Sequence, residues 1–347
     1  MKKLVTSFLL FLGGILLLSS CNSDNSPIRT KITGKAGELV IVIPSETWKG
    51  PVGSQLQHIL AQPQLGLPQD EPIFDLINIP PDAFKKIFRT SRNIINVRIS
   101  PTQDSSKVEL KKDVWAWPQA VVNIQVRSEQ DFQKLFSKNS DKIVSFLLSA
   151  ERKRLMQNYK NYPDKAVRNI LLKDYKFSLN VPPGFVIPEK TKTKDFAWIR
   201  YETPEISQGI LVHIFPYTSD STFTRKFMWE KQDSVMHYHV PGPRDGSFMI
   251  TEPQLPPTFQ VFKFKNNYAA MMRGLWKVQN DFMGGPFVTL SVLDAANSRV
   301  IMLTGYVYAP RYNKRNYLRQ VEAMLYSLTL PDQKKNNKIN SQVEMGN

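Results

Sequence analysis

The chain has 347 residues, more than one hydrophobic core usually supports, so its length predicts two lobes. A hydrophobic content of 41%, with 20 phenylalanines and 12 tyrosines, is typical of a folded protein and excludes a largely disordered chain. The formal net charge of +16 favours polyanionic partners, and the single cysteine excludes internal disulfides and thiolate metal clusters.

The N-terminal segment is predicted to be an export signal. Lys2 and Lys3 precede an apolar run from Leu4 to Leu18, which is the order of charge and apolarity in secretory signal peptides. The run is shorter than the roughly 20 residues that a helix needs to cross a bilayer, which disfavours a retained transmembrane span.

The run ends in LSSC at 18–21, which resembles a bacterial lipobox. We therefore predict a signal peptide over residues 1–20, cleavage before Cys21 and lipidation of that cysteine; an ordinary secretory signal with an accidental cysteine is the alternative. Several acyl chains on one cysteine would hold the protein permanently on a membrane. Asn22 favours the outer membrane, with the folded part in the periplasm or at the cell surface.

The predicted location in the envelope limits which anionic partners the positive charge could attract. An exported chain meets lipopolysaccharide phosphates, anionic headgroups, acidic glycans and other envelope proteins. These are therefore the predicted partners, besides the membrane itself, and nucleic acid is not a predicted partner. The alternative is that the charge belongs to an ordinary solvated surface.

Residues 21–37 are polar with scattered glycine and proline, which predicts a flexible tether. Residues 38–161 are predicted to form an N-terminal lobe in which strands alternate with helices. Ser128 with Asp131 three residues later resembles a capping box at the start of a helix. The predicted elements are strands at 38–43, 74–79, 93–99, 108–112 and 120–127, helices at 47–62 and 82–89, and a long helix that closes the lobe.

Residues 165–330 are predicted to form a second lobe that is richer in strands, and residues 331–347 a disordered tail. Apolar and polar residues alternate from Tyr175 to Val181, which predicts a half-buried strand. The predicted fold class is α+β, with two lobes that each hold a mostly antiparallel or mixed sheet with flanking helices. The remaining predicted elements are strands at 196–201, 209–215, 260–265, 269–278, 287–293 and 299–307, and helices at 221–235 and 314–327.

Several motifs resemble an uncharacterised family of bacterial envelope lipoproteins, a domain of unknown function. The resemblance would span nearly all of the chain after Cys21, and it implies an envelope protein without implying a reaction or any functional residue. The second lobe also resembles, as a pattern, the open sandwich of photosystem-associated lumenal proteins, which would not establish function. The motifs that carry the family resemblance are the lipobox, ELVIVIP at 38–44, NVPPGF at 180–185, GLW at 274–276, MGGPF at 283–287 and YAPR at 308–311.

The sequence carries no G-x-S-x-G, H-E-x-x-H, G-x-G-x-x-G or phosphate-loop motif, and no cofactor is predicted. His237 and His239 are weak candidates for metal ligands, because residues i and i+2 of an extended strand point the same way. Glu230 and Asp233 could add oxygen ligands. The alternative is a loop with two solvated histidines.

Five carboxylates are candidates for glycan hydrolysis, which needs a pair about 5 to 10 Å apart. Such residues are usually surface residues, so an envelope glycan hydrolase is the alternative prediction and a non-catalytic protein the preferred one. The five are Asp195, Glu202, Glu205, Asp281 and Asp294.

A ligand surface is predicted where a glycine-containing turn joins two strands and is lined by Met, Phe and Trp. Exposed aromatic rings there would stack on sugar rings or on a partner chain, whereas buried rings would only be core. The predicted function is a lipid-anchored protein that binds or scaffolds an envelope component. The residues of the predicted surface are Trp276, Met283, Gly284, Gly285 and Phe287.

Overall fold

The structure, a computed structural model, describes residues 30–331. The predicted signal peptide, Cys21 and nearly all of the predicted tail lie outside these residues. The described chain forms two sheets, one mixed and one antiparallel, each flanked by helices. The predicted α+β class with two lobes is therefore confirmed.

The N-terminal lobe is built on a five-stranded sheet in the order β2-β1-β3-β5-β4. The first four strands in this order run parallel, and β4 pairs antiparallel with β5 at the edge. In chain order its elements are β1 (Glu38–Val42), α1 (Ser45–Lys49), α2 (Pro51–Leu60), β2 (Asp75–Ile79), α3 (Lys86–Arg89), β3 (Asn93–Ile99), β4 (Lys107–Lys112), β5 (Ala120–Val126) and α4 (Glu129–Asn161).

The two faces of this sheet are covered differently. Helices α2 and α4 bury one face, where residues such as Leu39, Leu56 and Phe136 form the main core. On the other face, Phe84 and Trp115 pack on a smaller cluster. This second face is therefore only partly covered.

One predicted helix of this lobe is divided in two. Gly50 is extended between α1 and α2, because Pro51 disfavours a helical residue before it and begins the next helix well. A side chain at Gly53 would lie 1.7 Å from the carbonyl oxygen of Trp48, so only glycine allows the two helices to pack. The predicted helix at 82–89 is reduced to the single turn of α3.

Order begins before the predicted end of the tether. The backbone N–H of Ile32 donates to the carbonyl of Trp117 at 3.2 Å, and that of Thr33 to the carbonyl of Thr90 at 2.8 Å. The tether prediction is thus wrong for residues 31–33. The predicted cap is confirmed, since the Ser128 side chain accepts the backbone N–H of Asp131.

The C-terminal lobe holds an antiparallel sheet in the order β6-β7-β12-β11-β10-β8, with β9 also paired to β10. Helix α7 packs on one face and α6 on the other. Its elements are α5 (Lys165–Ile170), β6 (Phe196–Glu202), β7 (Ser207–Pro216), α6 (Arg225–His239), β8 (Met249–Thr251), β9 (Thr258–Phe264), β10 (Asn267–Val278), β11 (Gly284–Asp294), β12 (Arg299–Tyr308) and α7 (Arg315–Tyr326).

The strand predicted from Tyr175 to Val181 is wrong. Helix α5 continues as a π-helical turn over Leu171–Tyr175 and ends at Lys176, whose φ of 60° is left-handed. The apolar side chains that follow are buried, but this stretch forms no strand ladder: Ser178 makes one β-bridge, with Thr329, and the Val181 carbonyl accepts the backbone N–H of Asp164 at 2.8 Å. The alternation of apolar and polar residues therefore predicted correctly which side chains are buried, although these residues do not form a strand paired along its length with a neighbour.

The two lobes meet through polar contacts that are largely buried. Glu71, 6% exposed, accepts the backbone N–H groups of Lys314 and Arg315 at the start of α7. The Arg315 guanidinium in turn donates to Asp75 of β2 at 2.7 Å. Since the first N–H groups of a helix have no partner within it, the N-terminal lobe completes a helix of the C-terminal lobe.

A second polar contact lies between α4 and α7. The carboxylate of Glu322 accepts from Arg273 at 2.6 Å and from Arg152 of α4 at 3.3 Å. Arg152 also stacks on the ring of Tyr326, 3.8 Å from its centre.

No helix among residues 30–331 has both the length and the apolarity to span a bilayer.

Candidate functional site

A cleft of about 320 Å³ opens on the face of the second sheet that α6 covers only in part. Beyond the end of α6, residues 240–243 form one side of the cleft, and residues of β6, β10 and β12 line the rest. Four aromatic residues line the cleft beside aliphatic and polar ones, and Met283 lies with them: Trp198, Trp276, Tyr306 and Tyr308. Its volume lies at the lower end of the roughly 300–1,000 Å³ range of small-molecule sites.

Two buried rings form the floor of the cleft. Trp276 and Tyr306 are each 4% exposed and meet edge to face with their centres 5.9 Å apart. The Trp276 indole N–H donates to the carbonyl of Val307 at 3.3 Å. The Trp198 indole N–H donates to the Tyr306 hydroxyl at 3.0 Å. Because their polar atoms are bonded, these rings are fixed before any ligand arrives.

Two glycines allow the rings to lie this close to the backbone. A Cβ atom at Gly209 would lie 2.5 Å from the Tyr306 ring, and one at Gly285 would lie 2.1 Å from the carbonyl oxygen of Val307. Both distances are far below van der Waals contact. Gly285, which the sequence placed in a turn, thus serves the packing of the cleft floor, because the absence of a Cβ atom leaves space for Trp276 and for the Val307 carbonyl.

Charged side chains stand at the mouth of the cleft. Arg200 forms an ion pair with Glu202 at 3.4 Å, and its guanidinium lies 5.1 Å from the centre of the Trp198 ring. Burial raises the pKa of the Tyr306 phenol, which therefore stays protonated at neutral pH. The cleft combines aromatic rings with donors and acceptors at its edge, which suits a ring that has an apolar face and hydroxyl groups around it.

The predicted ligand surface is divided by the structure. Trp276 and Met283 line the cleft, whereas Phe287 is fully buried in the core beneath α6. Gly284 and Gly285 belong to β11 rather than to a turn, so the connection between the strands is shorter than predicted. For Phe287, the alternative of a hairpin packed on its own sheet is the one that the structure supports.

The prediction missed three of the aromatic residues that form the cleft. Tyr306 and Tyr308 are two residues apart on β12, and Trp198 lies on β6, distant in sequence from both. The i, i+2 spacing of the tyrosines was the available signal, because it places both on one face of a strand. Nothing in the sequence showed that β6 and β12 flank the same opening.

The metal hypothesis required an extended strand at His237 and His239, and this is wrong. Both residues lie in the last turn of α6, where residues two apart point in different directions. His239 stacks on Phe196 with the ring centres 3.8 Å apart, and His237 contacts Phe248 at 3.7 Å. Over residues 30–331 no group of three His, Cys, Asp or Glu side chains could hold a metal ion.

The five carboxylates that are candidates for hydrolysis form local contacts. Asp294 is buried against Arg299 at 2.8 Å, and Glu205 accepts the hydroxyl of Tyr312. Asp281 accepts the backbone N–H of Met283 at 3.1 Å in the hairpin turn. Of the five, Glu202 alone lines the aromatic cleft, so the cleft does not contain the pair that a glycosidase needs.

The comparisons with known proteins match each lobe separately. Residues 32–160 match the family described as Domain of unknown function (DUF8532), and residues 164–327 match Domain of unknown function (DUF4837). A search of curated proteins finds no match.

Solved structures give only a distant likeness. The crystal structure of the Saccharomyces cerevisiae Ran-binding protein Mog1p is 9% identical, covers 46% of this chain and 92% of its own, and has a TM-score of 0.29. A point mutant of the protein Mog1 is 8% identical over 45% of this chain and 90% of its own, with a TM-score of 0.27. The chain thus carries two domains of unknown function in succession, which is consistent with an uncharacterised family.

Proposed function

We propose that this protein is a lipid-anchored component of the bacterial cell envelope that binds a saccharide of that envelope in its aromatic cleft, without catalysis. The observation that carries the proposal is the pair of partly exposed rings of Trp198 and Tyr308 in the cleft. They contact the buried, hydrogen-bonded rings of Tyr306 and Trp276, which support them. Aromatic faces stack on the apolar faces of sugar rings, and fixed rings lose little conformational entropy when they do so.

The anchoring half of the proposal rests on the N-terminal sequence. The apolar run from Leu4 to Leu18 and the LSSC motif at 18–21 supply both features that lipoprotein processing requires. Asn22 after the cysteine supports sorting to the outer membrane, with the folded part in the periplasm or at the cell surface. The protein would act there as a binding or scaffold component.

The anchoring experiment compares the wild-type protein with Cys21→Ala in the native envelope. We expect the wild type to sediment with membranes and to carry acyl chains detectable by mass spectrometry, and Cys21→Ala to lose both. Crosslinking followed by pull-down should enrich an envelope partner only with the lipidated form. A wild-type protein without acyl chains would overturn the anchoring half.

The binding experiment uses the purified full-length protein and chitotriose, a neutral oligosaccharide of N-acetylglucosamine. We expect saturable binding by calorimetry and a weakening of about tenfold for Tyr308→Ala, because one stacking wall is removed. Tyr238→Ala is the matched control, since Tyr238 is 81% exposed on α6 outside the cleft. Equal binding by both variants would exclude the cleft, and shortened oligosaccharide in the sample would establish a hydrolase instead.

A further inference from the structure

The N-terminal lobe has a second groove, of about 520 Å³, at a position that its topology makes distinctive. The connection from β1 to β2 carries α2 on one face of the sheet, where Leu56 joins the main core. The connection from β2 to β3 carries Phe84 on the opposite face. Since β1 lies between β2 and β3, the connection from β1 and the connection into β3 leave the sheet on opposite faces beside β1. Where neighbouring connections separate in this way, a parallel sheet has a crevice at the carboxyl ends of its strands.

The floor of this groove is polar in a place where a parallel sheet is normally apolar. On the face that bears Phe84, β3 presents Ile94, then Asn96 and Arg98. Its neighbour β5 presents Val121, then Asn123 and Gln125 on the same face, and the register places these residues side by side. Both strands thus change from apolar to polar halfway along. Inner strands of parallel sheets are usually apolar throughout, so the change marks a surface kept open.

The floor is organised by hydrogen bonds between its own side chains. The amide nitrogen of Asn96 donates to the amide oxygen of Asn123 at 3.0 Å. Because this bond uses the Asn96 nitrogen and the Asn123 oxygen, the Asn96 oxygen and the Asn123 NH₂ group are the amide atoms left for a ligand in the groove that both residues line. The floor therefore offers both an acceptor and a donor, which is the combination that a sugar hydroxyl uses.

The walls and the charge indicate what kind of ligand the groove would hold. Trp115 and Phe84 form an edge-to-face pair with centres 5.6 Å apart, and both line the groove. Arg89 and Arg98 are exposed and also line it, and within residues 30–331 neither has an ion-pair partner. The lining contains no carboxylate. Two guanidinium groups match a phosphate monoester, which carries about −1.5 to −2 charges at neutral pH, better than a single carboxylate.

We infer that this groove is a second binding site, separate from the aromatic cleft, for a phosphorylated sugar. The two arginines would bind the phosphate, the amides of Asn96, Asn123 and Gln125 would bind the hydroxyls, and Trp115 would contact the sugar ring. The inference does not depend on what the aromatic cleft binds, since the groove lies in the other lobe.

The test titrates N-acetylglucosamine 1-phosphate into the full-length protein by calorimetry, in a polyoxyethylene detergent that carries no sugar. We expect saturable binding that Arg98→Gln weakens by about tenfold or more, because charge-assisted bonds to the phosphate are lost. Arg225→Gln removes the same charge from an exposed position in the other lobe and should leave binding unchanged. Tyr308→Ala, in the aromatic cleft, should also leave it unchanged.

Two further measurements test whether the phosphate group is recognised and whether the ligand binds beside Trp115. In the Tyr308→Ala protein, whose aromatic cleft is weakened, neutral N-acetylglucosamine and glucuronic acid should each bind at least about tenfold more weakly than the phosphorylated sugar. The titration should change the tryptophan fluorescence of the wild type, and Trp115→Phe should lose that signal while it retains calorimetric binding. The inference is overturned if the phosphorylated sugar does not bind, if Arg98→Gln binds it as the wild type does, or if either comparison sugar binds equally well.

Discussion

Glu71 accepts the backbone N–H of Arg315 at 2.9 Å, so that a side chain of the N-terminal lobe completes the first turn of a helix in the C-terminal lobe. The same carboxylate accepts the backbone N–H of Lys314. Both amides are buried, and the helix supplies no partner of its own for them. The stability of α7 therefore depends on the presence of the other lobe.

Replacing Glu71 with alanine should destabilise the protein by about 2–4 kcal/mol, because two buried amides lose their acceptor. Urea unfolding followed by far-ultraviolet circular dichroism would measure the shift in midpoint. Glu46→Ala is the control, since the Glu46 side chain is 90% exposed, and it should change the midpoint little. Equal midpoints for the two variants would show that the lobes do not support each other.

Replacing Phe287 with alanine should cost about 3–5 kcal/mol of unfolding free energy, because a fully buried ring is removed from the core beneath α6. Phe282→Ala is a matched control five residues away, at the tip of the same hairpin, where the ring is 99% exposed. The control should melt like the wild type. A Phe287→Ala protein with an unchanged melting temperature would contradict the assignment of this ring to the core.

Acidification should weaken the fold through His213. Burial, together with the charge of the nearby Lys231, lowers the pKa of this imidazole to about 4. The unfolded chain takes up the proton near pH 6.5 and the folded chain only near pH 4, so the free energy of unfolding falls as the pH falls through this window, by up to about 3 kcal/mol. Above pH 6.5 the histidine contributes no slope.

The measurement is urea unfolding at several pH values for the wild type, His213→Leu and, as a control, His58→Gln. The leucine variant should lose most of the dependence between pH 4 and 6.5, whereas His58→Gln, exposed on α2, should retain it. A wild-type slope that survives in His213→Leu would assign the acid sensitivity to other groups.

Replacing Trp198 with phenylalanine should weaken chitotriose binding by about fivefold while costing about 1 kcal/mol of stability. The substitution keeps a ring but removes the N–H that holds the Tyr306 hydroxyl, so the floor of the cleft is less fixed. Calorimetry and thermal melting measure the two effects. Affinity that stays at the wild-type value would mean that this hydrogen bond does not organise the site.

Much of the fold could be predicted because short-range patterns determine it. The strand predicted at 93–99 matches β3 to the residue, and the cap at Ser128 is present because its chemistry is local. The break at Gly50 was missed because a strong helical period concealed the backbone effect of the following proline. At Tyr175 to Val181 a real alternation of burial arose without a neighbouring strand.

The candidate sites were harder to predict than the strands. Trp276 was found because it lies next to a distinctive glycine turn, but Trp198 and Tyr306 come together only when β6 and β12 flank β7. The polar floor of the groove could have been recognised in the interruption of two apolar strands by Asn96 and Asn123. Its position beside β1 required the strand order, which no local pattern contains.

The pairing of residues 31–33 with the N-terminal lobe limits how far the folded protein could stand from its membrane. With lipid on Cys21, as proposed, only residues 22–29 would separate the anchor from the first backbone bonds at Thr30 and Ile32. A fully extended chain spans at most about 3.3–3.6 Å per residue, so this segment could separate the anchor from the fold by at most about 30 Å. Both binding sites would then reach only ligands in the part of the envelope next to the bilayer. A partner anchored farther away would have to extend towards the protein.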